Sequence, residues 1–212
     1  MPTVRKAGVE LRRQSILAEI AEALGTTADE TNDIRMVLTK TGVSSEDIAS
    51  EFGDHRSLVT ALAEMLATSM LEPLAEPVTG ATFRQRLLAF GERVADEYAA
   101  PRLRCLYRIT RDGAGRTVES DREFYHHGPG LLTHGLAQFL QAAQVQGVGL
   151  KGDSQRLAAN FMALLRVGLD DSEALPTSSA RWVSQERREV SRAINLFCFG
   201  IQKGARDGHL AH

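Results

Sequence analysis

Apolar positions recur at helical spacing along nearly the whole chain, and no stretch alternates with the period of two that a strand needs. From Val9 to Leu24, Ile16, Ile20 and Leu24 recur every four residues, with Leu17, Ala21 and Ala23 beside them. Arg12, Arg13, Glu19 and Glu22 occupy the other face. This predicts an amphipathic helix ended by Gly25, preceded by a flexible arm over residues 1–8. A polar connection from Thr26 to Asn32 leads to Asp33, placed to cap a second helix. That helix is short: Ile34, Val37 and Leu38 share one face, and Gly42 follows as a residue that tolerates a left-handed backbone. Ser44 is placed to cap a third helix, Glu46 and Asp47 suit its positive end, and Ile48 and Phe52 form its buried side. Two short helices across a Gly-containing turn make a helix-turn-helix, the unit that sets its second helix in the DNA major groove. The same spacing is met by an ordinary pair of short helices in an all-α protein.

The remainder is helical as well. Asp54 is placed to cap a long helix from about His55 to Ala75, with Leu58, Leu62, Met65 and Leu66 inward. Pro73 and Pro77 end it, and Val78-Thr79-Gly80 reads as a boundary. Further helices are predicted over 81–99, from Pro101, over 118–127, over 131–145, over 157–169 behind an Asp153 cap, and over about 180–205. The fold class is all-α: a small three-helix N-terminal domain and a larger helical bundle.

Composition narrows the function. The 212 residues are 43% hydrophobic and 25% charged, as in ordinary soluble domains. No run of apolar residues is long enough for a transmembrane helix, and Met1 to Arg13 lacks a secretory apolar segment, so no membrane partner is expected and the cytoplasm is the expected location. Cys105 and Cys198 read as reduced, buried thiols. His126, His127 and His134 have no Cys or carboxylate at ligand spacing, so no metal and no cofactor is expected. No nucleophile elbow, zinc-protease helix, phosphate loop or Cys-x-x-Cys nominates a catalytic residue, and the chain is not read as an enzyme.

Gly42-Val43-Ser44, then Phe52, then Gly53 to Val59, resembles the N-terminal domain of the tetracycline-repressor (TetR) family over roughly residues 9–66. Phe124-Tyr125, Gly128-Pro129, Leu132, Leu136, Leu140, Gly147, Asp153, Ala158-Ala159, Phe161 and Leu164-Leu165 follow in order and are similar to the AefR-like type of C-terminal domain in that family. The resemblance implies a ligand-responsive transcriptional regulator, a repressor in the usual case. It would bind a palindromic double-stranded DNA operator as a homodimer. It implies a helix-turn-helix DNA-binding domain over 1–54 and a ligand-binding and dimerisation domain over 55–212, with helix 55–75 connecting the two. Ser44, Ser45, Asp47 and Ser50 would lie on the recognition helix, Arg35, Lys40, His55 and Arg56 would face phosphates, and Arg5 and Lys6 would reach DNA from the arm.

A small-molecule effector would occupy a pocket walled by Met65, Phe83, Leu87, Phe90, Tyr98, Tyr107, Phe124, Leu131, Phe139 and Met162, each of which also reads as plain core. The last two helices would pair with a partner's through Phe161, Leu165, Trp182, Val190, Ile194, Phe197 and Ile201, a stripe that could equally cover the monomer core.

The recognition helix departs from the family pattern. Where the family carries Lys, Thr, Tyr and His, this chain has Ser45, Asp47, Ala49 and Ser50, and the helix holds three acids and no base. Phosphate attraction supplies much of DNA affinity and acids oppose it. DNA binding therefore has to draw on Arg5, Lys6, Arg12, Arg13, Arg35, Lys40 and Arg56. The alternative is a TetR-like small-molecule or protein-binding homologue that has lost direct DNA binding.

Overall fold

The computed structural model describes residues 2–27, 31–112, 116–170 and 188–198, without the side chains of 2–9 and 167–170. The described residues form helices α1 (Pro2–Thr26), α2 (Ile34–Leu38), α3 (Ser45–Glu51), α4 (His55–Leu71), α5 (Phe83–Ala99), α6 (Pro101–Asp112), α7 (Val118–His127), α8 (Pro129–Val145) and α9 (Ser154–Asp170). A 3-10 turn over Glu72–Leu74 follows α4, and residues 188–198 are helical. No strand occurs among the described residues, so the class is all-α, as the apolar period requires. No helix among them is long and apolar enough to cross a membrane.

Caps set the helix starts. Asp33 is extended and its side chain accepts the Arg35 N–H at 3.0 Å. Ser44 and Asp47 form a reciprocal capping box at the start of α3, and Thr117 and Ser120 form another at α7. Asp54 accepts the Ser57 N–H at 2.7 Å, and Asp153 accepts the Arg156 N–H at 2.8 Å. Pro101 and Pro129 occupy the first positions of α6 and α8, where the missing N–H costs nothing.

Two expectations change. Residues 2–8 of the expected arm are the first part of α1, because Pro2 suits a helix start and Arg5, Lys6 and Ala7 are good helix formers. Gly42 is not left-handed; among the described residues that backbone belongs to Gly53 (φ 83°), Gly147 (φ 83°) and Gly152 (φ 116°). Gly42 instead admits a carboxylate, since its N–H donates to Glu19 Oε1 at 2.6 Å.

The chain divides into two compact units, residues 1–68 with 98–131, and 69–97 with 132–212. The first packs α1 against α2 and α6. Its core joins Ile20 and Leu24 of α1, Val37 of α2, Ile48 of α3, Leu58 and Leu62 of α4, and Leu106 of α6. In the second unit, Phe83 stacks on Phe139 with centroids 5.7 Å apart. Phe161 meets Phe90 at 6.1 Å and Phe197 at 5.2 Å.

Of the stripe expected at the dimer interface, Phe161, Leu165, Val190, Ile194 and Phe197 are each no more than 5% exposed within one chain, so they pack in its own core. Their spacing is that of any buried helix face, which explains why sequence could not separate the two roles. Trp182 and Ile201 lie outside the described residues.

Gly91 of α5 packs against the segment 188–198. A Cβ there would meet Val190 Cγ1 at 2.9 Å, Ile194 Cδ1 at 3.4 Å and Leu165 Cδ2 at 3.7 Å. Valine is stiff at χ1 and cannot swing clear. Gly91→Leu is expected to lower stability in urea denaturation by about 2 kcal/mol through overpacking. Gly149→Ala, where nothing lies within 4 Å, should stay within about 0.5 kcal/mol of the parent. Equal effects of the two substitutions would contradict this packing.

The caps also make the first unit acid-sensitive. Asp33 is held below its ordinary value chiefly by hydrogen bonding from Arg35, Asp47 by the Ser44 side chain, and Asp54 by the Ser57 backbone N–H. A carboxylate with a depressed folded pKa contributes stability above its unfolded pKa and loses it as pH falls through the folded value. Urea-denaturation stability should therefore decline as pH falls below about 4. Asn in place of all three aspartates keeps the caps uncharged and should flatten that decline. An equally steep decline in the triple variant would contradict the assignment.

Candidate nucleic-acid interface

Helices α2 and α3 form the expected helix-turn-helix. Thr39, Lys40 and Thr41 close α2 with backbone N–H groups donating to Arg35, Val37 and Leu38 carbonyls at 3.2, 3.0 and 3.1 Å. Val43 packs partly buried against the core and Ser44 opens α3. Ile34, Val37, Ile48 and Phe52 are buried, which fixes the faces of both helices. Ser45, Glu46, Ala49 and Ser50 then remain exposed on α3, with Lys40 on the turn and Met36 on α2.

The polar face of α1 grips this motif at three points. Arg12 pairs with Asp47 near the start of α3. At the other end, Arg13 Nη1 donates to the Glu51 carbonyl at 3.1 Å, and its guanidinium lies 4.7 Å from the centroid of the Phe52 ring. Glu19 takes the Gly42 N–H in the turn between the helices. Sequence placed these side chains on the face opposite the apolar one and gave them no partner on α3, because helical period gives the face but not what covers it. A usable signal was their spacing: Arg12 and Glu19 are seven apart, two turns of one face.

Of the candidates expected on the recognition helix, Ser44 and Asp47 direct their polar atoms at each other. Ser44 N–H donates to Asp47 Oδ2 at 3.2 Å, Ser44 Oγ lies 2.6 Å from the same oxygen, and Asp47 N–H donates to Ser44 Oγ at 3.1 Å. Arg12 adds a cation to that carboxylate, so one of the three acids on α3 is offset locally. Arg12 and Arg13 are committed to α3 in this structure. Ser45 and Ser50 keep the exposed positions expected of them.

Arg35 lies against Asp33, its Nε at 3.0 and 3.1 Å and its Nη2 at 2.7 Å from the carboxylate oxygens, which raises its own pKa. The pair is exposed, and exposed pairs of this kind are easily exchanged for another anion. His55 and Arg56 are exposed in the first turn of α4. Arg35, His55 and Arg56 line one hollow of about 520 Å³, so the structure brings these three candidates together. Arg116 lines it too, and no sequence signal nominated that residue, which lies just before α7 and outside any helical period. The side chains of Arg5 and Lys6 lie outside the described residues.

The ten pocket candidates fall in both units. Phe83, Leu87, Phe90, Phe139 and Met162 are buried in the second unit. In the first, Tyr107 lies 6.4 Å from Tyr98 and meets Phe124 edge-on at 5.3 Å, while Met65 and Leu131 are half-buried. His127 pairs with Glu64 at 3.1 Å, and His134 sits between Gln138 and Gln155. Among the described residues no three His, Cys, Asp or Glu side chains are grouped to hold a metal ion.

Comparison with known proteins gives this geometry its place. Residues 85–199 match the family described as AefR-like transcriptional repressor, C-terminal domain. The fold is similar to a protein of Mesorhizobium loti MAFF303099 assigned to the TetR-family transcriptional regulators, with a TM-score of 0.59 and 16% identity over 89% of this chain and 97% of that one. It is also similar to the Flavonoid-responsive Regulator FrrA, with a TM-score of 0.60 and 19% identity over 87% of this chain and 95% of that one. No curated protein matches the sequence. With more than half of its length inside the matched family and its first helices in a helix-turn-helix, the chain belongs to the TetR family of transcriptional regulators with an AefR-like C-terminal domain.

Proposed function

We propose that the protein is a ligand-responsive repressor that binds a palindromic DNA operator as a homodimer in the cytoplasm. The observation that carries this reading is the helix-turn-helix gripped by α1, with Arg12 offsetting Asp47 and the small residues Ser45, Ala49 and Ser50 outward. Short side chains let a helix approach base edges closely, and Ser hydroxyls can contact several bases. Arg35, Lys40, His55 and Arg56 supply the phosphate contacts. Two copies would place their α3 helices in successive major grooves, about 34–36 Å apart. In this reading residues 1–54 bind DNA, 55–212 bind the effector and the second subunit, and α4 links them.

The dimer surface needs a different set from the buried stripe. Residues Ala159, Asn160, Ala163 and Arg166 of α9, with Asn195 and Leu196 of the segment 188–198, are exposed and form the face proposed for the partner. An effector that binds better to a conformer with the wrong half-site spacing would release DNA by population shift.

A second reading rests on Glu46, which leaves an exposed acid on α3 where phosphate would approach. On that reading α3 docks to a basic protein and DNA binding has been lost.

Selection from a random duplex DNA pool at two salt concentrations separates the readings. Enrichment of a palindrome is expected, with Arg35→Ala weakening binding to all sequences alike and lowering the salt slope by about one per subunit. A folded dimer that enriches nothing at low salt would overturn the repressor reading.

A further inference from the structure

The hollow that gathers Arg35, His55 and Arg56 has a composition that phosphate contact alone does not explain. It is a recess of about 520 Å³, within the range of small-molecule sites, and it lies wholly in the first unit. Its apolar lining comes from Ile34 of α2, Val59 of α4, Ile109 of α6 and Phe124 of α7. Its cationic lining comes from Arg35, His55, Arg56 and Arg116. Two acids also line it, and both are engaged locally: Asp33 with Arg35, and Asp54 with the Ser57 N–H. Thr60, Thr110 and Ser120 add hydroxyls.

An apolar surface from four helices beside guanidinium groups from separate segments suits an amphipathic anion better than a bare phosphate. We propose that this recess binds a small organic carboxylate. The hydrocarbon or aromatic body would lie on Ile34, Val59, Ile109 and Phe124, and the carboxylate would meet Arg116 and Arg35. Arg116 holds Asp121 through Nε at 2.9 Å and Nη2 at 2.8 Å, and Arg35 holds Asp33. Both pairs are exposed, so a second carboxylate can share or take over the guanidinium without a large penalty. Arg offers five N–H donors in a planar fork, enough to serve two carboxylates.

The site has a consequence for regulation. A carboxylate seated there occupies Arg35, one of the cations assigned to DNA phosphates, so acid and operator compete directly for it. That consequence rests on the operator reading, whereas the binding site does not.

The test uses the full chain without DNA and benzoate as the probe, with benzyl alcohol as its neutral match. Benzoate titrated to tens of millimolar is expected to produce saturable amide shifts clustered at residues 32–35, 54–60 and 116–120. Benzyl alcohol is expected to bind at least about tenfold more weakly, the worth of a charge-assisted hydrogen bond. Arg116→Ala should weaken benzoate by about tenfold and Arg116→Lys by less, with helical content unchanged. Absence of saturable shifts, equal binding of the alcohol, or unchanged affinity in a folded Arg116→Ala variant would each overturn the proposal. Arg116 is outside the set assigned to the operator. A failed operator selection with intact benzoate binding therefore removes only the competition, and the reverse result removes only the site.

Discussion

The clasp between α1 and the helix-turn-helix is the constraint on which the geometry of that motif depends. Helices α2 and α3 have 5 and 7 residues, far below the length at which a helix holds itself in water. Ile48 and Phe52 pin one side of α3 to the core, but two apolar anchors leave its rotation and slide poorly fixed. Arg12 at its start, Arg13 at its end and Glu19 in the turn remove that freedom. The same contacts explain how an acidic α3 is tolerated. Its first-turn acids face the positive end of the helix, and Asp47 is further held by Ser44 and Arg12.

This changes the account of charge in the first unit. The arginines of α1 are used for architecture, and the cations placed together at the surface are those at the starts of α2 and α4 and before α7. Phosphate contact, if it follows that cluster, comes from the flank of the motif and not from the recognition helix. Sequence readout then falls to short side chains on α3, which favours close approach over reach. On the two proposals above, the recess at the same cluster would make its cations a shared resource for two kinds of anion.

Much of the fold was legible because helices write themselves into apolar period and caps. Asp33, Ser44, Asp54 and Asp153 all marked helix starts and Pro101 did so by position, whereas α8 opens at Pro129, two residues before the start expected at 131. Tertiary roles were not legible in the same way. Phe161, Val190 and Ile194 carry a stripe that suits an interface or a core equally, and only packing against Gly91 and its neighbours decided for the core. Gly42 was read by its tolerance of backbone conformation, whereas its neighbour Glu19 is distant in sequence and invisible to local rules. The hollow was missed because it joins segments from α2, α4, α6 and α7, and no single segment carries its pattern.

Amide hydrogen exchange of α3 tests the clasp most directly. Comparing the parent chain with Arg13→Ala isolates the grip on the Glu51 carbonyl and the Phe52 ring. The amides from Ile48 to Gly53 are expected to exchange at least about tenfold faster in the variant, with those of α8 and α9 unchanged. Unchanged exchange in α3, or equal acceleration throughout both units, would contradict the account.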